Sequence, residues 1–462
     1  MLLLATMIAS SLLFVSFVAL NPYIIQQDPD EPTHVHLTWQ TNDTAHTMTI
    51  TWQSSLDDSG DSVLYDTNQR NGNPLLYSYS AVGTNHTYTG SSGYIHDVEL
   101  LDLVPNTAYY FICGGDKGGW SQERSFKTSP LIPSRTRLIV GGDSRTDIVA
   151  RNKISQIMST FDPDFVLFNG DMVADGNDQN QWDVFLDHMD TYWIGNNSLT
   201  IPIIPALGNH EKNSTNYYEQ FALIGNEQWY SLNWGPEIHI IVLNSEANLE
   251  GIIAQANWLE EDLKRHESCL WKFVTFHRNV FRSNHESWTL VFDYWVPIFD
   301  KYHVDAVFNG HSHNYMRTKP INWTKSSTTP QSSYLNGTMY VVTGAWGAPL
   351  YDVTDGWWVA YNRSVHHFTL VDIFDNRTLH LQGKDDSGMT FDEIWIDKTA
   401  PPDDDNGSNG ILPDSDILGI FVLCQGRANH ICFFVNNIDF ITTGKINNYL
   451  TGNIRAYFWH HV

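Results

Sequence analysis

The sequence predicts an α+β multidomain protein, an all-β sandwich followed by a layered α/β domain. Three observations carry this expectation. The 462-residue length exceeds one ordinary core. Short period-two strands fill residues 30–130, and from 131 strands alternate with helical segments.

The first 20 residues, "MLLLATMIASSLLFVSFVAL", hold no charged side chain. Residues 1–27 therefore read as an export signal or an N-terminal membrane anchor, with Ala19 a candidate cleavage position. Either reading implies a secreted protein or one on the extracellular face of the membrane. Asn-x-Ser/Thr triplets beginning at Asn42, Asn85, Asn196, Asn213, Asn322, Asn336, Asn362, Asn376 and Asn406 are consistent with a glycosylated surface.

Within 28–130, "HVHLTWQT", "MTITWQSS", "SVLYDT" and "AYYFICGG" alternate as half-buried strands do. "LVPNTAY" carries the L-x-P-x-T-x-Y run found before the penultimate strand of fibronectin type III-like sandwiches, and Trp120 precedes a last strand ending in "FKT". In the second domain, 131–400, "RLIVGGD", "PDFVLFNGD" and "IPIIPALGNHE" read as strands separated by the helices "DIVARNKISQIMSTF" and "QWDVFLDHMD". "AQANWLEEDLKRH" is an amphipathic helix feeding the strand "LWKFVTFH", and "LVFDYWVPIFDKYHV" leads into "DAVFNGHSHNY". Residues 401–462 are an acidic linker and a tail to which no function is assigned.

Cys113 and Cys269 lie in apolar strand-like runs and read as buried small hydrophobes, Cys424 and Cys432 are a candidate pair, and four cysteines make no disulfide framework. The formal charge of −26 argues against nucleic acid and anionic membranes as partners. An anionic substrate then needs a local positive site, which metal ions provide.

Five strand ends deliver metal ligands in order: Asp143, Asp171, Asn209 with His210, His277, and His311 with His313. Carboxylate, amide oxygen and imidazole together suit iron, zinc or manganese rather than calcium. One such residue means little; the ordered set points to a metal centre.

On these motifs, together with "WVPIFDKYHVDAVFNGHSHNYMRT" and "MYVVTGAWGAPLY", the chain resembles the calcineurin-like metallophosphoesterases. The preceding sandwich makes it similar to the purple acid phosphatase branch. The resemblance covers roughly residues 30–398 and implies an α/β/β/α sandwich holding a dinuclear metal centre, with iron paired with zinc, manganese or a second iron. It makes Asp171 the bridging ligand, gives Asn209, His277 and His311 to one ion, and gives Asp143 and His313 to the other. It implies hydrolysis of a small phosphorylated substrate, most readily a monoester, by a metal-activated water without a phosphoenzyme. A phosphodiester or nucleotide is the alternative substrate; a surface or adhesion protein with a residual site is the alternative of another class. His210 and His285 match positions beside the substrate, where an imidazole serves as proton donor.

Two positions depart from the pattern. Where related phosphoesterases carry a His, two residues after the first Asp, this chain has Arg145; where purple acid phosphatases carry a Tyr, three residues after the bridging Asp, it has Ala174. Water filling the gap, Asp147 or Asp175 swinging in, and a single remaining metal are the open readings. Arg145 reads either as a bidentate phosphate holder or as the ion-pair partner of Asp147 or Asp175.

Overall fold

The computed structural model describes residues 31–55, 60–281, 289–324, 327–330 and 333–399. The expected signal or anchor, the 401–462 tail and the Cys424–Cys432 pair lie outside them. Among the described residues no helix is long and apolar enough to cross a membrane.

The first strands form two antiparallel sheets. One orders Thr33–Thr38, Met48–Ser54, Tyr94–Leu100 and Thr84–His86; the other centres on Ala108–Gly115, flanked by Ser62–Asp66 and Arg124–Lys127. The L-x-P-x-T-x-Y run closes its corner as a tyrosine corner does: the Val104 N–H donates to the Tyr109 hydroxyl at 2.8 Å. Cys113 is buried in this sheet, whereas Cys269 lies half-buried in the turn before Trp271 rather than in a strand.

Beyond residue 135 two mixed sheets stack face to face. The six-stranded sheet runs Ile203–Pro205, Phe165–Phe168, Thr136–Gly141, His367–Ile373, Thr378–Asp385, Thr390–Asp397. The seven-stranded sheet runs Tyr230–Trp234, Ile238–Val242, Trp271–Phe276, Ala306–Asn309, Met339–Thr343, Tyr315–Thr318, Val359–Arg363. The inner strands "FVLF", "IHIIV", "WKFVTF" and "MYVVT" are buried along their whole length, as strands covered on both faces must be. Helices Ile148–Ser159 and Gln179–Tyr192 pack Met158 and Phe185 with the core of the six-stranded sheet. Helix Leu249–Arg265 packs Ile252, Leu259 and Leu263 with Val274 and Val307 of the other. The result is the α/β/β/α layering behind an all-β sandwich.

Two elements differ from the sequence expectation and a third divides in two, each for a local reason. The helix expected from Ala254 begins at Leu249, because the Asn248 side chain accepts from Gly251 N–H and caps it. The segment "LVFDYWVPIFDKYHV" splits into Thr289–Tyr294 and Val296–Lys301 around Pro297, which fits only a first helical turn. In "IPIIPALGNHE" only Ile203–Pro205 pairs as strand, and the chain then turns to aim Asn209 and His210.

The sandwich is fused to the layered domain rather than tethered. One apolar cluster runs from Val35, Leu37 and Trp39 through Phe165 and Trp234 to Phe308. Trp39 meets Trp234 edge-on at 5.8 Å, and Thr44 Oγ1 donates to the Asn233 carbonyl at 2.6 Å.

The two stacked sheets are also joined by a buried polar link. Arg317 of the seven-stranded sheet donates to both oxygens of Asp392 in the other, at 2.7 and 2.8 Å, and Tyr315 Oη donates to Asp392 at 2.7 Å. Removing one partner strands the other's charge. Asp392→Ala is expected to lower unfolding free energy by about 3–5 kcal/mol, measured by urea titration; a loss below about 1 kcal/mol contradicts this role.

Candidate metal centre

The centre forms where the carboxyl ends of the two sheets meet. Asp143, Asp171 and Asn209 follow strands of the six-stranded sheet, and His277, His311 and His313 follow or precede strands of the seven-stranded sheet. The structure brings all six together. His285 lies outside the described residues.

The backbone pays for this aim. Asp143, Asp171 and His311 have φ of 56°, 57° and 65°, in the left-handed region that non-glycine residues seldom occupy. Two glycines allow the loops to close: a Cβ on Gly208 would lie 2.4 Å from Asp171 Oδ1, and one on Gly310 would lie 2.5 Å from Asp143 Oδ2.

Around Asp171 the donor atoms converge. His277 Nε2 lies 3.3 Å from Asp171 Oδ1 and 3.1 Å from Asn209 Oδ1, and His311 Nδ1 lies 2.9 Å from that same amide oxygen and 3.3 Å from His277 Nε2. His277 Nδ1 donates to the Asn169 carbonyl at 2.9 Å. The neutral ring therefore presents a bare Nε2 lone pair to oxygens that are themselves electron-rich, an arrangement that a cation satisfies. Burial opposes charge on His277, but Asp171 and Asp143 beside it push its pKa up to about 10. The carboxylates thus demand positive charge here, from a proton or from a metal. Burial alone would also raise the Asp171 pKa, yet His277 and the His210 N–H hold it well below the usual carboxylate range.

The other position is different. His313 Nδ1 donates to the Pro349 carbonyl at 2.7 Å, Tyr351 stacks on its ring, and its Nε2 lies 3.4 Å from Asp143 Oδ1. Asp143 Oδ2 accepts from His311 N–H, while Oδ1 is buried with no hydrogen-bond partner. Arg145 enters this space: its Nε donates to Asp171 Oδ2 at 3.2 Å and its Nη2 to His313 Nε2 at 3.0 Å. The expected ion pair of Arg145 with Asp147 or Asp175 is therefore corrected. Asp147 caps the helix through Ala150 N–H, and the exposed Asp175 pairs with Lys212 at 2.7 Å, so neither carboxylate turns into the gap. The donors of the Asn209–His277–His311 position fit a metal ion; those of the Asp143–His313 position are shared with a guanidinium.

His210 stands beside both positions. Its N–H donates to Asp171 Oδ1 at 2.9 Å, its Nδ1 to the Ala174 carbonyl at 2.7 Å, and its Nε2 lies 3.9 Å from Asp171 Oδ2. A cavity of about 430 Å³ opens beside Arg145 and Ala174, walled by Ile148, Val173 and Val184.

Glu211 was not singled out from the sequence, although it ends the run "LGNHE". Fully buried, it accepts from the N–H groups of Asp171 at 2.8 Å, Met172 at 2.7 Å and Gly208 at 2.7 Å, tying the two ligand loops together. Burial first, and the charge of Asp171 second, push its pKa up to about 7. An acid beside a His has no distinct sequence signal; its role is visible only through partners from another loop.

Residues 32–128 match the family described as purple acid phosphatase, N-terminal domain, and residues 146–315 match calcineurin-like phosphoesterase, a match that begins just after Asp143 and Arg145. A probable purple acid phosphatase of Arabidopsis thaliana is 30% identical over 320 residues, covering 63% of this chain and 70% of its own. A phosphoenolpyruvate phosphatase of Allium cepa is 29% identical over 335 residues, so that this chain spans 65% of that relative's length and 65% of its own is covered. The structure of a purple acid phosphatase from yellow lupin (Lupinus luteus) seeds has a TM-score of 0.69 at 22% identity, covering 80% of this chain and 75% of that one, a likeness of fold.

Replacing Glu211 by Ala leaves three buried N–H groups without an acceptor. Unfolding free energy is expected to fall by about 3 kcal/mol or more, with Glu211→Gln milder because one acceptor remains. Denaturant titration of both variants checks the order, and an equal loss in the two would contradict it.

Proposed function

Since the chain belongs to the purple acid phosphatase family of calcineurin-like phosphoesterases, we propose that this centre hydrolyses small phosphate esters, monoesters foremost. The observation that carries the reading is the convergence of Asp171, Asn209, His277 and His311 on one point, with the His277 lone pair turned toward it. Iron, zinc or manganese suits this donor set; iron paired with one of these is the dinuclear form that the resemblance implies. When bound, such an ion polarises the phosphoryl group and acidifies water enough for it to act as nucleophile near neutral pH.

The chain's own residues do the rest. Asp171 holds its two oxygens toward different neighbours, His277 and Arg145, as a carboxylate shared between positions must. Arg145 spends two N–H groups on Asp171 and His313, and the remainder of its five-donor fork is available to a phosphoryl oxygen. His210 has its Nδ1 proton committed to the Ala174 carbonyl, so a neutral ring offers only a lone pair at Nε2. Protonated, it donates from Nε2 to the departing alcohol oxygen. The apolar wall of the 430 Å³ cavity suits the organic part of a small ester. The uncharged N-terminal run and the Asn-x-Ser/Thr triplets support export.

Hydrolysis of a chromogenic monoester and a diester across pH, paired with metal analysis, tests the proposal. Asp171→Asn is expected to abolish turnover and lower metal content; undiminished hydrolysis would sink the assignment, and turnover of the diester alone would select the phosphodiesterase alternative. His210→Gln is expected to lower kcat about 100-fold for an ester with a poor leaving group and far less for one with an activated leaving group; an equal loss for the two rules out the donor role. Iron-loaded protein is expected to lack the visible tyrosinate-to-iron band, since position 174 is Ala; a coloured preparation would show another tyrosine in that role, with Tyr351 on His313 the first to replace.

A further inference from the structure

We infer that the Arg145 guanidinium holds the place of one of the two metal ions, so that the centre binds a single ion at the Asn209–His277–His311 position. The inference rests on the metal-centre reading above and narrows it.

The geometry of the lone pairs carries it. With Nδ1 committed to the Pro349 carbonyl and the ring held against Tyr351, His313 has one lone pair to offer, at Nε2, and Arg145 Nη2 donates into it at 3.0 Å. Asp171 directs Oδ1 toward His277 and the His210 N–H; its other oxygen, the one a second ion would need, accepts from Arg145 Nε at 3.2 Å. Two of the three recognisable donors of that position are thereby bonded to a side chain that stays charged at every physiological pH.

The third donor is within reach of the remaining ion. Ligand atoms of Asp143, Asp171 and His277 all lie within 4.8 Å of one another, and Asp143 Oδ1 is buried without a hydrogen-bond partner. The neighbour of that oxygen is His313 Nε2 at 3.4 Å, whose lone pair Arg145 already fills, so a separate site would keep this one oxygen alone. Ala174 cannot replace it, and Asp147 and Asp175 are engaged elsewhere. Charge runs the same way. One dication with the guanidinium already offsets the carboxylates of Asp143, Asp171 and the buried Glu211, and a second ion would create a surplus where Asp143 and His277 have no solvent exposure.

The full chain is equilibrated with Mn²⁺ by dialysis, bound metal is counted by elemental analysis, and coupling is read by electron paramagnetic resonance. The wild type is expected to bind about one ion per chain with an uncoupled signal. Arg145→His, which supplies an imidazole, is expected to bind about two with a spin-coupled signal, and Arg145→Ala to gain a second ion more weakly. Two coupled ions in the wild type would overturn the inference and leave the metal-centre reading standing. No ion in the wild type would overturn that reading and the inference together. One ion in the wild type and in both variants would show that Arg145 does not exclude the second.

Discussion

The centre depends on holding two separate sheets in fixed register face to face. Asp143, Asp171 and Asn209 come from one sheet and the three histidines from the other, so no donor set exists on either alone. The joint is secured at several depths. Thr275 Oγ1 donates to Asn169 Oδ1 at 2.7 Å, Thr343 Oγ1 to the Val140 carbonyl at 3.3 Å, and the bidentate Arg317–Asp392 pair closes the far side. The apolar faces between them supply most of the favourable free energy, and the polar links fix the register.

That rigidity lets the loops keep conformations they would abandon in isolation. Left-handed φ at Asp143, Asp171 and His311 costs on the order of 1 kcal/mol or more each, and it persists because cross-loop hydrogen bonds over-determine the backbone. The His311 N–H on Asp143 Oδ2, the His210 N–H on Asp171 Oδ1 and the three N–H groups on Glu211 serve this purpose. The strain is local to the ligands, and the cradle that holds it is built from glycine and backbone N–H. The β-sandwich contributes at one remove, by burying Trp39 against Trp234 and extending the core beneath the two stacked sheets.

The two departures from the family pattern meet in space. Arg145 and Ala174 both border the same cavity, so a guanidinium and a methyl group together set charge and room at one place. A fixed guanidinium is a poorer Lewis acid than a metal but a better-defined hydrogen-bond donor to an anion. Arg145 Nε stands 3.2 Å from Asp171 Oδ2, and His210 Nε2 stands 3.9 Å from the same oxygen.

Much of this was legible in the amino-acid order. Strand and helix periods are local properties, and a polar residue just past a buried strand lands on a sheet's carboxyl edge whatever the rest of the chain does. Hence Asp143, Asp171, Asn209, His277, His311 and His313 were readable as a set, as were the sandwich and the layered domain behind it. Asn248, which caps one helix, and Pro297, which opens another, are local signals as well, and they set these boundaries where apolar spacing alone does not. Glu211 and the direction of Arg145 were not readable, since each is defined by partners from loops distant in sequence. The sequence by itself determined which donor types stand at which strand ends. Only the tertiary structure decided which lone pairs face one another and which face a guanidinium, because that depends on how two sheets pack and not on either one's period.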